Sequence, residues 1–170
     1  MRRVLLIATL GSLACVSTSA RADDYPPRKP GLWEITMNLA SAHAPPMVSK
    51  MCIDTATDAA LYKIGSDAPG IQCSRRDIVR SGQTMTIDSV CNMGNRTFTT
   101  HAITVFTDDV AYHTDNTSHI DPPLTPGQAE TKTSQDAKWV GPCPADMKPG
   151  DMMLPNGVKM NILSKMGGGK

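Results

Sequence analysis

Four cysteines, Cys52, Cys73, Cys91 and Cys143, constrain this chain more than any other feature. Beyond Ala22, Leu, Ile, Val and Phe make up only about a sixth of the residues, and so lean a core needs staples to stay folded. An even number of cysteines in an exported chain reads as two disulfides. Each is expected to contribute roughly 3–4 kcal/mol by restricting the unfolded chain. Three pairings are open; the expectation is Cys52–Cys73 around a short helix, with Cys91–Cys143 as the second. No CxxC pair or paired histidine accompanies them, so a zinc site is not expected.

The fifth cysteine, Cys15, falls in a stretch with the pattern of a leader: Met1-Arg2-Arg3, an apolar run from Val4 to Val16, then Ala20-Arg21-Ala22. A basic start, an apolar centre and small residues at the cut describe a secretory signal peptide over residues 1–22. The expected organisation is then a polar lead-in over 23–30, a single β domain over 31–166 and a flexible tail over 167–170. No apolar run reaches the roughly 18 residues of a transmembrane helix, so a periplasmic or secreted location is expected. A formal charge of +1 and few aromatics argue against nucleic-acid partners.

Trp33, Ile35, Met37 and Leu39 alternate with Glu34, Thr36 and Asn38, the period of a half-buried strand. Met47 to Ile53 continues in extended form. Asp54 is placed to cap a helix over Thr55 to Ile64, which Gly65 ends. Further strands are predicted over Cys73–Arg80, Thr84–Cys91, Arg96–Thr107, Val110–Ile120 and Gln128–Val140, separated by glycine, asparagine and aspartate turns. Beyond Val140, prolines 142, 144, 149 and 155 predict an irregular, Pro/Gly-rich C-terminal segment. The fold class is therefore mainly β: an antiparallel meander of about seven strands forming a small barrel or sandwich, with one short α-helix. Threonines on both faces of Arg96–Thr107 fit a partly polar lumen able to hold a ligand, or simply a small twisted sheet.

The catalytic inventory is empty: no GxSxG, HExxH or phosphate-binding loop occurs, so no catalytic residue and no cofactor is expected. His101 faces Asp88 and Ser89 across a hairpin, a triad on paper that reads better as a solvated histidine. His113, Asp115, His119 and Asp121 share one face of a strand but match no established metal spacing, so no metal is expected there. Ten methionines beyond the leader, five of them (Met147, Met152, Met153, Met160 and Met166) near the end, give soft apolar volume or, less readily, Cu(I) ligands.

Three blocks carry a family resemblance: Lys29-Pro30-Gly31-Leu32-Trp33-Glu34, Met51-Cys52-Ile53-Asp54, and Ala137-Lys138-Trp139 through Gly141-Pro142-Cys143-Pro144 to Met147-Lys148-Pro149-Gly150-Asp151-Met152. With them the chain resembles a family of small exported proteins of Gram-negative bacteria that forms a domain of unknown function. The resemblance implies export, four structural cysteines and a mostly β, methionine-rich domain, and it transfers no ligand or catalytic residues. The expected function is a non-catalytic periplasmic binding module for a small apolar ligand or envelope component. Alternatives are an envelope protein–protein interaction or structural role and, less favoured, methionine-based copper handling.

Overall fold

The computed structural model describes residues 25–40, 45–67 and 70–166. The expected leader and tail lie outside the described residues. Nine strands form one antiparallel sheet: β1 (Gly31–Leu39), β2 (Met47–Ile53), β3 (Ile71–Ser81), β4 (Thr84–Met93), β5 (Arg96–Thr107), β6 (Ala111–Asp121), β7 (Glu130–Gly141), β8 (Asp151–Met153) and β9 (Lys159–Asn161). Helix α1 (Thr55–Asp67) follows β2, and a short α2 (Ile162–Met166) follows β9. The chain is mainly β, as expected.

The order is β3-β4-β5-β6-β7-β1-β2-β8-β9. Strands β3 to β7 form the meander. The N-terminal hairpin β1–β2 inserts after β7 instead of preceding β3, so the meander covers only the middle of the chain. Strands β3 and β9 stand at opposite ends of the order, which makes the sheet open rather than a closed barrel. Turn chemistry sets the hairpins, with Gly82 and Gly94 at φ 60° and 61° and Asp108 at φ 50°, all left-handed conformations suited to tight turns.

One face of this sheet, here the inner face, carries the core. Trp33, Ile35, Met51, Ile53 and Ala137 are buried together, and Leu61 of α1, Tyr112, Trp139, Met152 and Ile162 pack against them. Trp33 is fully enclosed, and its indole N–H donates to the Lys29 carbonyl at 2.9 Å. Trp139 donates to the Pro30 carbonyl at 3.0 Å, and the Lys29 ammonium lies 3.9 Å from its ring centre. Gly31, at φ 138°, leaves no room for a side chain: a Cβ would collide with the Gly141 carbonyl oxygen and the Trp139 ring nitrogen. The Lys-Pro-Gly-Leu-Trp-Glu block is thus a packing device that seats β1 against β7.

Helix α1 starts as the sequence predicts, with the Asp54 carboxylate accepting from the Thr57 N–H at 2.7 Å. It runs through Gly65 to Asp67 instead of ending there. A helical glycine costs about 1 kcal/mol, which does not stop a helix unless the residue turns left-handed.

The disulfides pair Cys73 with Cys91 and Cys52 with Cys143, not Cys52 with Cys73 and Cys91 with Cys143. Topology is the reason. Helix α1 carries the chain from β2 across to β3 at the far edge, which separates Cys52 from Cys73. Cys73 lies directly opposite Cys91 in the β3–β4 register. Cys52, on the outer face of β2, is covered by the segment after β7, where Gly150 N–H also donates to the Cys52 carbonyl at 2.8 Å.

The C-terminal segment is more regular than expected. Its prolines fall between elements, leaving Asp151–Met153 and Lys159–Asn161 to pair as a short hairpin onto β2 and α2 to close the described chain. Proline excludes a strand only at positions that must donate to the ladder.

Candidate ligand-binding face

The inner face has three zones. At one end the lead-in, expected to be a simple polar approach, carries a buried arginine. The Arg28 side chain is 7% exposed and its Nε donates to Asp58 Oδ1 at 2.7 Å. The Arg28 backbone N–H donates to Asp58 Oδ2 at 2.8 Å. The guanidinium carbon lies 5.8, 5.3 and 5.7 Å from the rings of Trp33, Tyr62 and Tyr112, within cation–π range. Gln135 donates to the Tyr112 hydroxyl at 2.9 Å. Burial, with nearby Asp58 in support, pushes the Tyr62 phenol well above its ordinary range and raises that of Tyr112, despite the opposing pull of Arg28. Sequence reasoning missed this box, because a buried acid in the first turn of a helix looks like any other N-terminal acid until its partner is placed.

The middle zone is lined by short polar side chains. Register places Arg76, Ser89, Thr100, Ser118 and Thr131 in one row across β3 to β7. The next row is Ile78, Ile87, Ala102, Asn116, Thr133 and Leu39. Thr100 and Ser118 share a hydrogen bond of 2.9 Å, and Thr104 and Thr114 one of 2.8 Å. Thr100, Asn116, Ser118, Thr131 and Thr133 are only half-buried, so the face is neither filled by large side chains nor fully solvated.

At the far end the apolar alternation of β1 continues into solvent. Met37 and Met47 lie opposite one another, and Leu39 faces Thr133. They are 37%, 50% and 40% exposed. Of the other methionines, Met51, Met85 and Met147 are buried, Met152 packs against the core cluster and Met93 is exposed.

Other residues singled out from the sequence lie on the outer face. His101 Nδ1 pairs with Asp88 at 2.7 Å, but Ser89 points to the inner side opposite Arg76, so the paper triad does not assemble. His113 lies 2.6 Å from Asp136 and 3.3 Å from Asp115. The hydrogen bond to Asp136, outweighing slight burial and joined by Asp115, raises the His113 pKa above the ordinary histidine value. Its protonated form therefore stabilises the fold fully below an unfolded pKa near 6.5, and that contribution fades as pH rises through the raised folded value. His119 and Asp121 sit far along β6, opposite Thr99 and Thr97. Among the described residues no group of three or more His, Cys, Asp or Glu is arranged to hold a metal ion. An open groove of about 370 Å³ on this face runs between the Glu34–Lys138 ion pair and His113–Asp136.

Residues 28–143 match DUF3617, described as a protein of unknown function. The chain belongs to the DUF3617 family. The match spans β1 to β7 and all four cysteine positions, with Cys143 at its end, so the Arg28 box and the inner face of β1 to β7 lie inside it. No curated protein and no solved structure matches the chain. Among the described residues no helix is long and apolar enough to cross a membrane. Two disulfides fit a protein that works outside the reducing cytoplasm.

Proposed function

We propose that this protein is a non-catalytic binding module, periplasmic or secreted, that takes a small apolar ligand or the apolar part of an envelope component on its inner face. The observation that carries this reading is the exposed apolar end formed by Met37, Leu39 and Met47, contiguous with the core row and with half-buried hydroxyls beside it. Exposed methionine is soft and adapts to ligand shape, and apolar surface that a ligand covers gains about 25 cal/mol per Å². Trp33, fully buried, serves packing and not the ligand.

Titration with the apolar fluorophore N-phenyl-1-naphthylamine tests the reading. The wild-type protein is expected to bind the probe, and Met37→Lys with Leu39→Lys to weaken binding about tenfold or more. Because both side chains are exposed, the melting point should hardly move. No binding by the wild type, or equal binding by the variant, would sink the reading.

A further inference from the structure

Charge is sorted between the two faces of the sheet. The acidic side chains of β1 to β7 (Glu34, Asp77, Asp88, Asp115, Asp121, Glu130 and Asp136) all alternate to the outer face. There they meet cations or histidines, as in Glu34–Lys138, Asp77–Arg75, Asp88–His101 and Asp136–His113. Arg76 and Arg96 fall on the inner-face alternation and have no carboxylate partner among the described residues. Arg76 Nη2 donates to the Tyr25 hydroxyl at 2.8 Å, and Tyr25 stacks on Tyr62 with ring centres 4.0 Å apart. Arg76 Nη1 and Arg96 Nε are buried with no hydrogen-bond partner. They are the two such side-chain atoms among the described residues, and both belong to guanidiniums of the same face.

A buried N–H of a charged group left unpaired is costly, and a guanidinium is the side chain best shaped to hold a carboxylate or phosphate in paired hydrogen bonds. We infer that the inner face takes an amphiphile with an anionic head, the head pairing with Arg76 and Arg96 at the β3–β5 side and the apolar part lying along Ile78, Ile87 and Ala102 toward Leu39. This deepens the proposed function and rests on it. Ser89 and Thr100, next to Arg76 in its row, supply hydroxyl donors to the same head group. The chemistry selects charge, so a carboxylate and a phosphate monoester serve alike, whereas a neutral alcohol of the same chain length leaves the arginines unsatisfied.

Displacement of N-phenyl-1-naphthylamine from the full protein by dodecanoate, dodecyl phosphate and 1-dodecanol separates these outcomes. At neutral pH both anions are expected to displace the probe at least about tenfold more effectively than the alcohol, the order of magnitude of charge-assisted hydrogen bonds. Arg76→Gln and, independently, Arg96→Gln should cut that preference severalfold while leaving dodecanol unchanged. Should Arg76→Gln fail to fold, Arg96→Gln alone decides. Equal displacement by anions and alcohol, or a preference untouched by a folded variant, overturns the inference while leaving apolar binding intact. Failure of the wild type to bind the probe overturns the proposed function itself.

Discussion

Asp58→Ala is expected to cost about 3–5 kcal/mol of unfolding free energy, because it strands the Arg28 guanidinium inside the protein. The two side chains are 7% and 5% exposed, so water cannot replace the lost carboxylate. Asp58 also accepts the Arg28 backbone N–H, a second buried donor that the variant leaves without its partner. The three surrounding rings soften the loss but do not remove it, since a cation–π contact contributes about 0.5–2 kcal/mol. Arg28→Met combined with Asp58→Leu, which removes both charges, should recover much of the stability, as apolar replacements of buried pairs do. Urea unfolding of the three proteins measures this. A loss below about 1 kcal/mol in Asp58→Ala would mean that the pair is solvated and that the lead-in does not hold the helix on the sheet.

The second large effect concerns the disulfides, which are not equivalent. Cys52–Cys143 spans a sequence separation of 91 and Cys73–Cys91 one of 18. In the chain-entropy account, replacing both cysteines of the first pair with alanine costs about 4.5 kcal/mol and of the second about 3 kcal/mol. The difference is widened by position: Cys52 is fully buried and ties β2 to the segment after β7, whereas Cys73–Cys91 joins neighbouring strands already held by a hairpin. Total stabilities of small domains are about 5–15 kcal/mol, so loss of the long link should leave the protein marginal. Peptide mapping without reduction, followed by denaturation of the two double variants, checks pairing and order together. Equal losses, or linked peptides of another pairing, would contradict the topology.

Much of the middle of the fold could be read from local pattern. The alternation of Trp33, Ile35, Met37 and Leu39, the Asp54 cap, and the turns at Gly82, Gly94 and Asp108 all depend on neighbours in sequence, so the sequence shows them directly. Strand order does not depend on neighbours. That β1–β2 docks beside β7 follows from the fit of Gly31 and Trp33 to Trp139 and Gly141, a contact between residues a hundred positions apart. The wrong disulfide pairing came from the same gap, since Cys52 and Cys73 are close in sequence and on well-separated strands. Turn prolines concealed β8 and β9, and the polar, proline-rich look of the lead-in concealed a buried arginine. Of the candidate site, the exposed methionines were visible as an excess. The arginine pair was not, because which face Arg76 and Arg96 share with Thr100 appears only once the register of β3, β4 and β5 is known.

The most direct test of the binding role is the mass of the protein as the cell makes it. Produced from the full sequence and purified under oxidising conditions without detergent, the protein should show a native mass above its denatured, unreduced mass by that of one bound amphiphile. The Met37→Lys, Leu39→Lys variant should show no such excess. Identical native and denatured masses for the wild type would contradict the account and point instead to a face that meets another protein.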